Sequence, residues 1–81
     1  MREVELKALR FIARYIDENQ RPPTYRDISH AMRFRSSSTA SSVVCSLGLQ
    51  GYVAYEPRRT RTLRVTQRGY EAIAEAEPVS D

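Results

Sequence analysis

Apolar side chains recur every three or four residues between Glu3 and Asn19, at Leu6, Leu9, Ala13 and Ile16, and Phe11, Ile12 and Tyr15 widen the stripe. This spacing is that of an amphipathic helix with a broad core-facing side. No Gly or Pro interrupts it, and Arg21-Pro22-Pro23 forces an extended connection after it. Thr24 and Asp27, three residues apart, form a capping-box pair that starts a second helix. Ile28, Ala31 and Met32 are its inward positions. The pattern predicts a third helix from about Ser38 to Gln50, capped by Ser36, Ser37 or Ser38. Ala40, Val44, Leu47 and Gly48 are its core positions, with Ser38, Ser41, Ser42, Cys45 and Leu49 on the opposite face. Gly51 supplies a left-handed residue to end it.

The period then changes. Tyr52 to Tyr55 and Thr62 to Val65 have strand composition, with Pro57 in the segment between them, which predicts a hairpin. Thr66 caps a last helix from Gln67 to about Glu77, with Tyr70, Ile73 and Ala74 on one face. Pro78 ends it, and residues 78–81 form a flexible tail. The fold class is mainly α with a small β-hairpin: a winged helix-turn-helix of three helices, a wing and a C-terminal helix. It makes one domain over residues 1–77.

Charge sharpens this picture. The 81 residues carry a net charge of +3, unevenly placed. Residues 1–70 hold all 13 basic side chains against six acids, and residues 71–81 hold four acids and no base. A basic body with an acidic end suits a polyanion partner. All the basic side chains but Lys7 are Arg, whose planar fork matches phosphate and guanine. No apolar run is long enough to span a membrane, the start MREVELKALR is unlike a signal peptide, and the single cysteine, Cys45, fits a reducing cytoplasm. His30 stands alone. There is no paired-acid site, Gly-rich phosphate loop or nucleophile motif, so the sequence predicts no catalysis, cofactor or small-molecule ligand.

The chemistry concentrates at the start of the third helix. Ser36, Ser37, Ser38, Thr39, Ser41 and Ser42 surround Ala40, and a cap needs only one of them. Hydroxyls are poor core material, but they donate and accept, so they can meet phosphates and base edges while discriminating weakly between bases. Arg35 precedes them. Arg58, Arg59 and Arg61 sit on the predicted wing tip, placed for a phosphate backbone or a narrow minor groove.

Three local matches carry a family resemblance: Pro22-Pro23-Thr24; Arg26-Asp27-Ile28 followed by Phe34-Arg35-Ser36; and Leu47 followed by Gly51-Tyr52-Val53. With this spacing the chain resembles the N-terminal DNA-binding domain of LexA-type repressors over roughly residues 5–65. The resemblance implies a bacterial or phage transcriptional regulator. Its third helix would enter the major groove through Ser36, Ser38, Thr39, Ser41 and Ser42, with Tyr25 and Arg26 on phosphates. Arg33 stands where that family has a turn Gly, Gly48 where it favours Ala, and Ser41 and Ser42 where well-known members have acids, so no operator sequence carries over. The family continues into a self-cleaving domain with an Ala-Gly site and a Ser–Lys dyad; here there is no Ala-Gly dipeptide, and the only lysine is Lys7.

The expected partner is double-stranded DNA, bound by a repressor with sequence preference. A module this small contacts little DNA, which favours a homodimer on a palindrome. The last helix either supplies the dimer surface through Tyr70, Ile73 and Ala74 or folds back onto the first helix. Two rival readings stand beside this one: a winged-helix adaptor that binds proteins of the transcription machinery, and the DNA-binding half of a longer regulator.

Overall fold

The computed structural model describes residues 2–56 and 59–76, with side chains described outside residues 59–61. The element order is α1 (Glu3–Asn19), α2 (Tyr25–Met32), α3 (Ser37–Leu49), β1 (Val53–Glu56), β2 (Arg59–Val65) and α4 (Gln67–Ala76). This is the expected winged helix-turn-helix. The expectations about Pro57, Arg58, Pro78 and the tail at 78–81 lie outside the described residues.

Helix α1 ends at Gln20, whose left-handed backbone (φ 59°) returns its N–H to the Ile16 carbonyl at 2.8 Å. Pro22 and Pro23 then carry the chain to Thr24. The Thr24 hydroxyl accepts from the Asp27 N–H, and the Asp27 carboxylate accepts from the Thr24 N–H, both at 3.0 Å. The capping box therefore works with Asp in the usual Glu place.

The core gathers Ala8, Leu9 and Ile12 of α1, Ile28 of α2, Ala40, Val43, Val44 and Leu47 of α3, and Val53, Leu63 and Val65 of the wing. Ala31 was expected to face inward but is exposed, and Ser29 is buried in its place. After Met32 the chain turns back over Ser29: its carbonyl accepts from Phe34 N–H at 2.9 Å and its hydroxyl donates to the Ser36 carbonyl at 3.1 Å. The α2–α3 turn itself thus covers that side of the helix.

Strands β1 and β2 pair antiparallel, with Val53 opposite Val65, Ala54 opposite Arg64 and Glu56 opposite Arg59, and the register shifts between Ala54 and Glu56. An irregularity of this kind bends a hairpin and increases its twist. Thr66 joins the wing to α4 by donating its hydroxyl to the Gly51 carbonyl (2.6 Å) while accepting from the Gly69 N–H (3.1 Å). Helix α4 returns against α1 and β2. Its Gly69 is buried where the backbone runs under the wing, and a Cβ there would fall 2.2 Å from the Tyr52 carbonyl oxygen.

Candidate nucleic-acid interface

Helix α3 buries one face and leaves the other open. Ser38, Ser42, Cys45 and Leu49 form a single exposed stripe, with Ser37 and Thr39 exposed beside it and Ser41 half-buried. The eleven steps from Ser38 to Leu49, at about 1.5 Å rise each, make that stripe about 16 Å long. Its first half is hydroxyl and its second half is thiol and aliphatic, with Leu49 85% exposed. No charged residue occurs between Ser37 and Leu49.

Ser36 is the N-cap by its backbone, but its side chain makes no capping bond. Among the described residues, the Ser37, Ser38, Thr39, Ser41 and Ser42 hydroxyls have no intramolecular hydrogen-bond partner either. The serine cluster is therefore not spent on capping. The Thr39 N–H turns back to the Ser36 carbonyl at 3.3 Å. The Ser37 and Ser38 N–H groups ahead of it are left for an outside acceptor, and the positive end of the helix dipole favours an anion there.

The other sequence-derived positions divide. Arg35 is exposed in the turn before α3, and Arg26 is exposed at the second position of α2. Tyr25 is half-buried and packs on the core, so its ring has a structural task as well. Arg59 and Arg61 lie on β2, their side chains outside the described residues together with all of Arg58. Arg64, left out of the candidate set, is exposed on β2 opposite Ala54.

On α4, Ile73 packs towards the core, which follows the fold-back expectation for that residue. Tyr70 stays 49% exposed, and Ala74 is exposed. A shallow cleft of about 340 Å³ between α1 and α4 is lined by Arg10, Ala13, Arg14, Asp17, Tyr70 and Ile73.

Cys45, which the spacing puts on the face opposite the core, is exposed. It borders an open cleft of about 380 Å³ between α3 and β1, shared with Gly48, Leu49, Val53, Ala54 and Tyr55. The Tyr55 ring lies against Gly48. Burial pushes the Tyr55 phenol above the ordinary tyrosine value, and the neighbouring Cys45 and Tyr25 add to the rise. Arg68 is committed to structure: Nε donates to the Gln50 carbonyl at 3.0 Å, and the guanidinium stacks 5.2 Å from the Tyr52 ring centre.

Sequence reasoning missed Glu5. Its side chain is buried; Oε1 accepts from the Arg2 N–H at 2.8 Å, and Oε2 accepts from the Ser46 hydroxyl and from Gln50 Nε2 at 3.4 Å. Those bonds, Ser46 first, hold the carboxyl below the usual glutamate range against the opposing effect of burial. The signal was present: Glu5, Leu9, Ile12 and Ile16 share one helical line.

With this geometry in view, the family model described as the LexA DNA binding domain matches residues 3–62. The chain belongs to the LexA DNA-binding domain family. It is 35% identical over 69 residues to the LexA repressor of Lactiplantibacillus plantarum, covering 85% of this chain and 33% of that protein. It is 33% identical over 67 residues to the LexA repressor of Finegoldia magna, covering 83% of this chain and 32% of that one. The LexA repressor of Anaeromyxobacter dehalogenans is 34% identical over 77 residues, 95% of this chain and 34% of its own length. The chain spans about a third of the length of these relatives. The family model ends before α4, whereas the 77-residue match to the Anaeromyxobacter dehalogenans repressor takes that helix in.

Proposed function

We propose that this chain binds double-stranded DNA with sequence preference and acts as a transcriptional repressor by occupying an operator. The observation that carries the reading is the open hydroxyl stripe at the start of α3 in a LexA-family domain. Helix α3 enters the major groove, with Ser36, Ser38, Thr39, Ser41 and Ser42 meeting base edges and Arg35 a phosphate or a guanine. Tyr25 and Arg26 hold one strand's backbone. Arg58, Arg59 and Arg61 reach the flanking phosphates or the minor groove. A single module of this kind buries about 600–1,000 Å², which favours two copies on a palindrome, joined through the open side of α4 at Tyr70 and Ala74 beside Ile73.

Selection of bound duplexes from a random pool, followed by titrations at two salt concentrations, tests the reading. The expected result is an enriched motif. Its affinity falls on the order of 10³-fold between low and moderate salt, as five or six phosphate contacts require. Ser38→Ala should weaken the motif and leave scrambled duplex unaffected. Absence of any enriched motif would transfer support to the adaptor reading. Sedimentation that shows only monomer at micromolar concentration, with and without DNA, removes the dimer.

A further inference from the structure

The buried carboxylate of Glu5 spans two elements that the apolar core alone leaves free to shift. Glu5 is 3% exposed and stands on α1, whereas Ser46, which bonds it, stands in the last turn of α3, and Gln50, which also bonds it, is the C-cap of that helix, four residues on. Gln50 Nε2 also lies 3.1 Å from the Ser46 carbonyl and 3.2 Å from its hydroxyl, so the pair reaches the carboxylate as one unit. The nearest cation, Arg2, has its Nε 4.0 Å away and its side chain 77% exposed. A charge buried with so little direct compensation is costly, and well-packed apolar side chains commonly serve stability as well. What a carboxylate adds is direction. The contacts of Ala40, Val43, Val44 and Leu47 tolerate small slides and rolls of α3, but hydrogen bonds weaken within a few tenths of an ångström.

We propose that Glu5 is a positioning residue for DNA reading: by seating Ser46 and Gln50, it fixes the roll and axial placement of α3, and so where the Ser38, Thr39 and Ser42 hydroxyls meet the bases. This rests on the reading that α3 enters the major groove. Ser38 lies eight residues from Ser46, about 12 Å along the axis. A tilt of about 10° pivoting at Ser46 carries Ser38 about 2 Å, enough to lose a base contact. Phosphate contacts made by flexible Arg side chains tolerate the same movement.

The experiment compares the wild-type chain with Glu5→Met, Glu5→Gln and Ser46→Ala, each at a temperature where thermal melts show it folded. The probes are the duplex motif enriched by the wild-type chain and a scrambled duplex of equal length. The expected result is a loss of about tenfold or more for Glu5→Met on the motif with the scrambled duplex unchanged. Glu5→Gln, which keeps the length and one carbonyl acceptor, should hold most of the preference. Ser46→Ala, which suits a helix better than Ser, should fall between them, and it carries the comparison if Glu5→Met does not fold. An unchanged preference in folded Glu5→Met overturns the proposal, as does a parallel loss on both duplexes. A wild-type chain that enriches no motif overturns the groove reading itself, and this proposal with it.

Discussion

Arg33 and Gly51 occupy the same place in two helix ends. Each is left-handed, at φ 59° and 85°, after α2 and α3 respectively. Each returns its N–H to the carbonyl three residues back (His30 and Gly48), while the next residue, Phe34 or Tyr52, reaches the carbonyl five residues back (Ser29 and Leu47). Both are Schellman closures, but only one uses the residue that adopts the conformation without a Cβ penalty. Arg33→Gly should therefore stabilise the domain by on the order of 0.5–1 kcal/mol. Thermal melts check this, and a lower Tm than wild type contradicts it.

Gly69 faces the opposite constraint, one of space. A Cβ would lie 2.2 Å from the Tyr52 carbonyl oxygen and 2.6 Å from Val65 Cγ1. Gly69→Ala must push α4 off the base of the wing, although Ala is the better helix former. We expect a loss of about 2–3 kcal/mol in urea unfolding. A change below 0.5 kcal/mol, taken as about the noise of surface substitutions, would show that α4 is not seated this way.

Asp27 gives a pH signature. The Thr24 N–H is the main cause that holds its carboxyl below the usual aspartate range. A depressed folded value adds stability that is fully present above the unfolded value, about 3.9, and lost as pH falls through the folded one. Asp27→Asn should be less stable than wild type at neutral pH, by about 1 kcal/mol. The gap should narrow as acid neutralises the wild-type carboxyl. Denaturation midpoints from pH 7 downward test this, and parallel curves would refute it.

Leu47 and Leu49 are two residues apart on α3, at 0% and 85% exposure. Leu47→Ala should cost about 2–5 kcal/mol. Leu49→Gln should stay within about 0.5 kcal/mol of wild type. Chemical unfolding of the pair measures the contrast, and a comparable cost at both positions would place α3 in a different roll.

Cys45 offers a footprint. It is exposed on the open stripe of α3, seven residues beyond Ser38. Its alkylation by iodoacetamide should slow several-fold when the enriched duplex is bound and remain fast with scrambled duplex at high salt. Equal rates in both cases would mean that DNA does not cover this half of the helix.

The elements were legible where a rule of spacing or capping acts locally: the α1 stripe, the Thr24–Asp27 box, Gly51 and the hairpin. The errors have tertiary causes. Ala31 and Ser29 exchanged places because the returning turn covers one side of a short helix, which periodicity cannot register. Val43 is buried although the spacing does not mark it, because it shares a line of α3 with Ser46 and Gln50, the side that meets Glu5 of α1. The serine cluster marks the candidate site, but that no serine of it caps α3 through its side chain depends on hydroxyl geometry that composition does not encode. Glu5 was hidden for a related reason: an acid near a helix start reads as an ordinary first-turn residue until its distant partners are known.

The bond between Arg2 and Glu5 also gives α3 a handle. Arg2 is tied to Glu5, and Glu5 to Ser46 and Gln50, beyond the middle of α3 and away from its serine-rich turn. A fluorophore coupled through Arg2→Cys, which keeps the backbone N–H to Glu5, would report on the seating of α3 from its far end, away from the serine-rich turn. A bulky fusion at the same place would load the joint on which that seating depends.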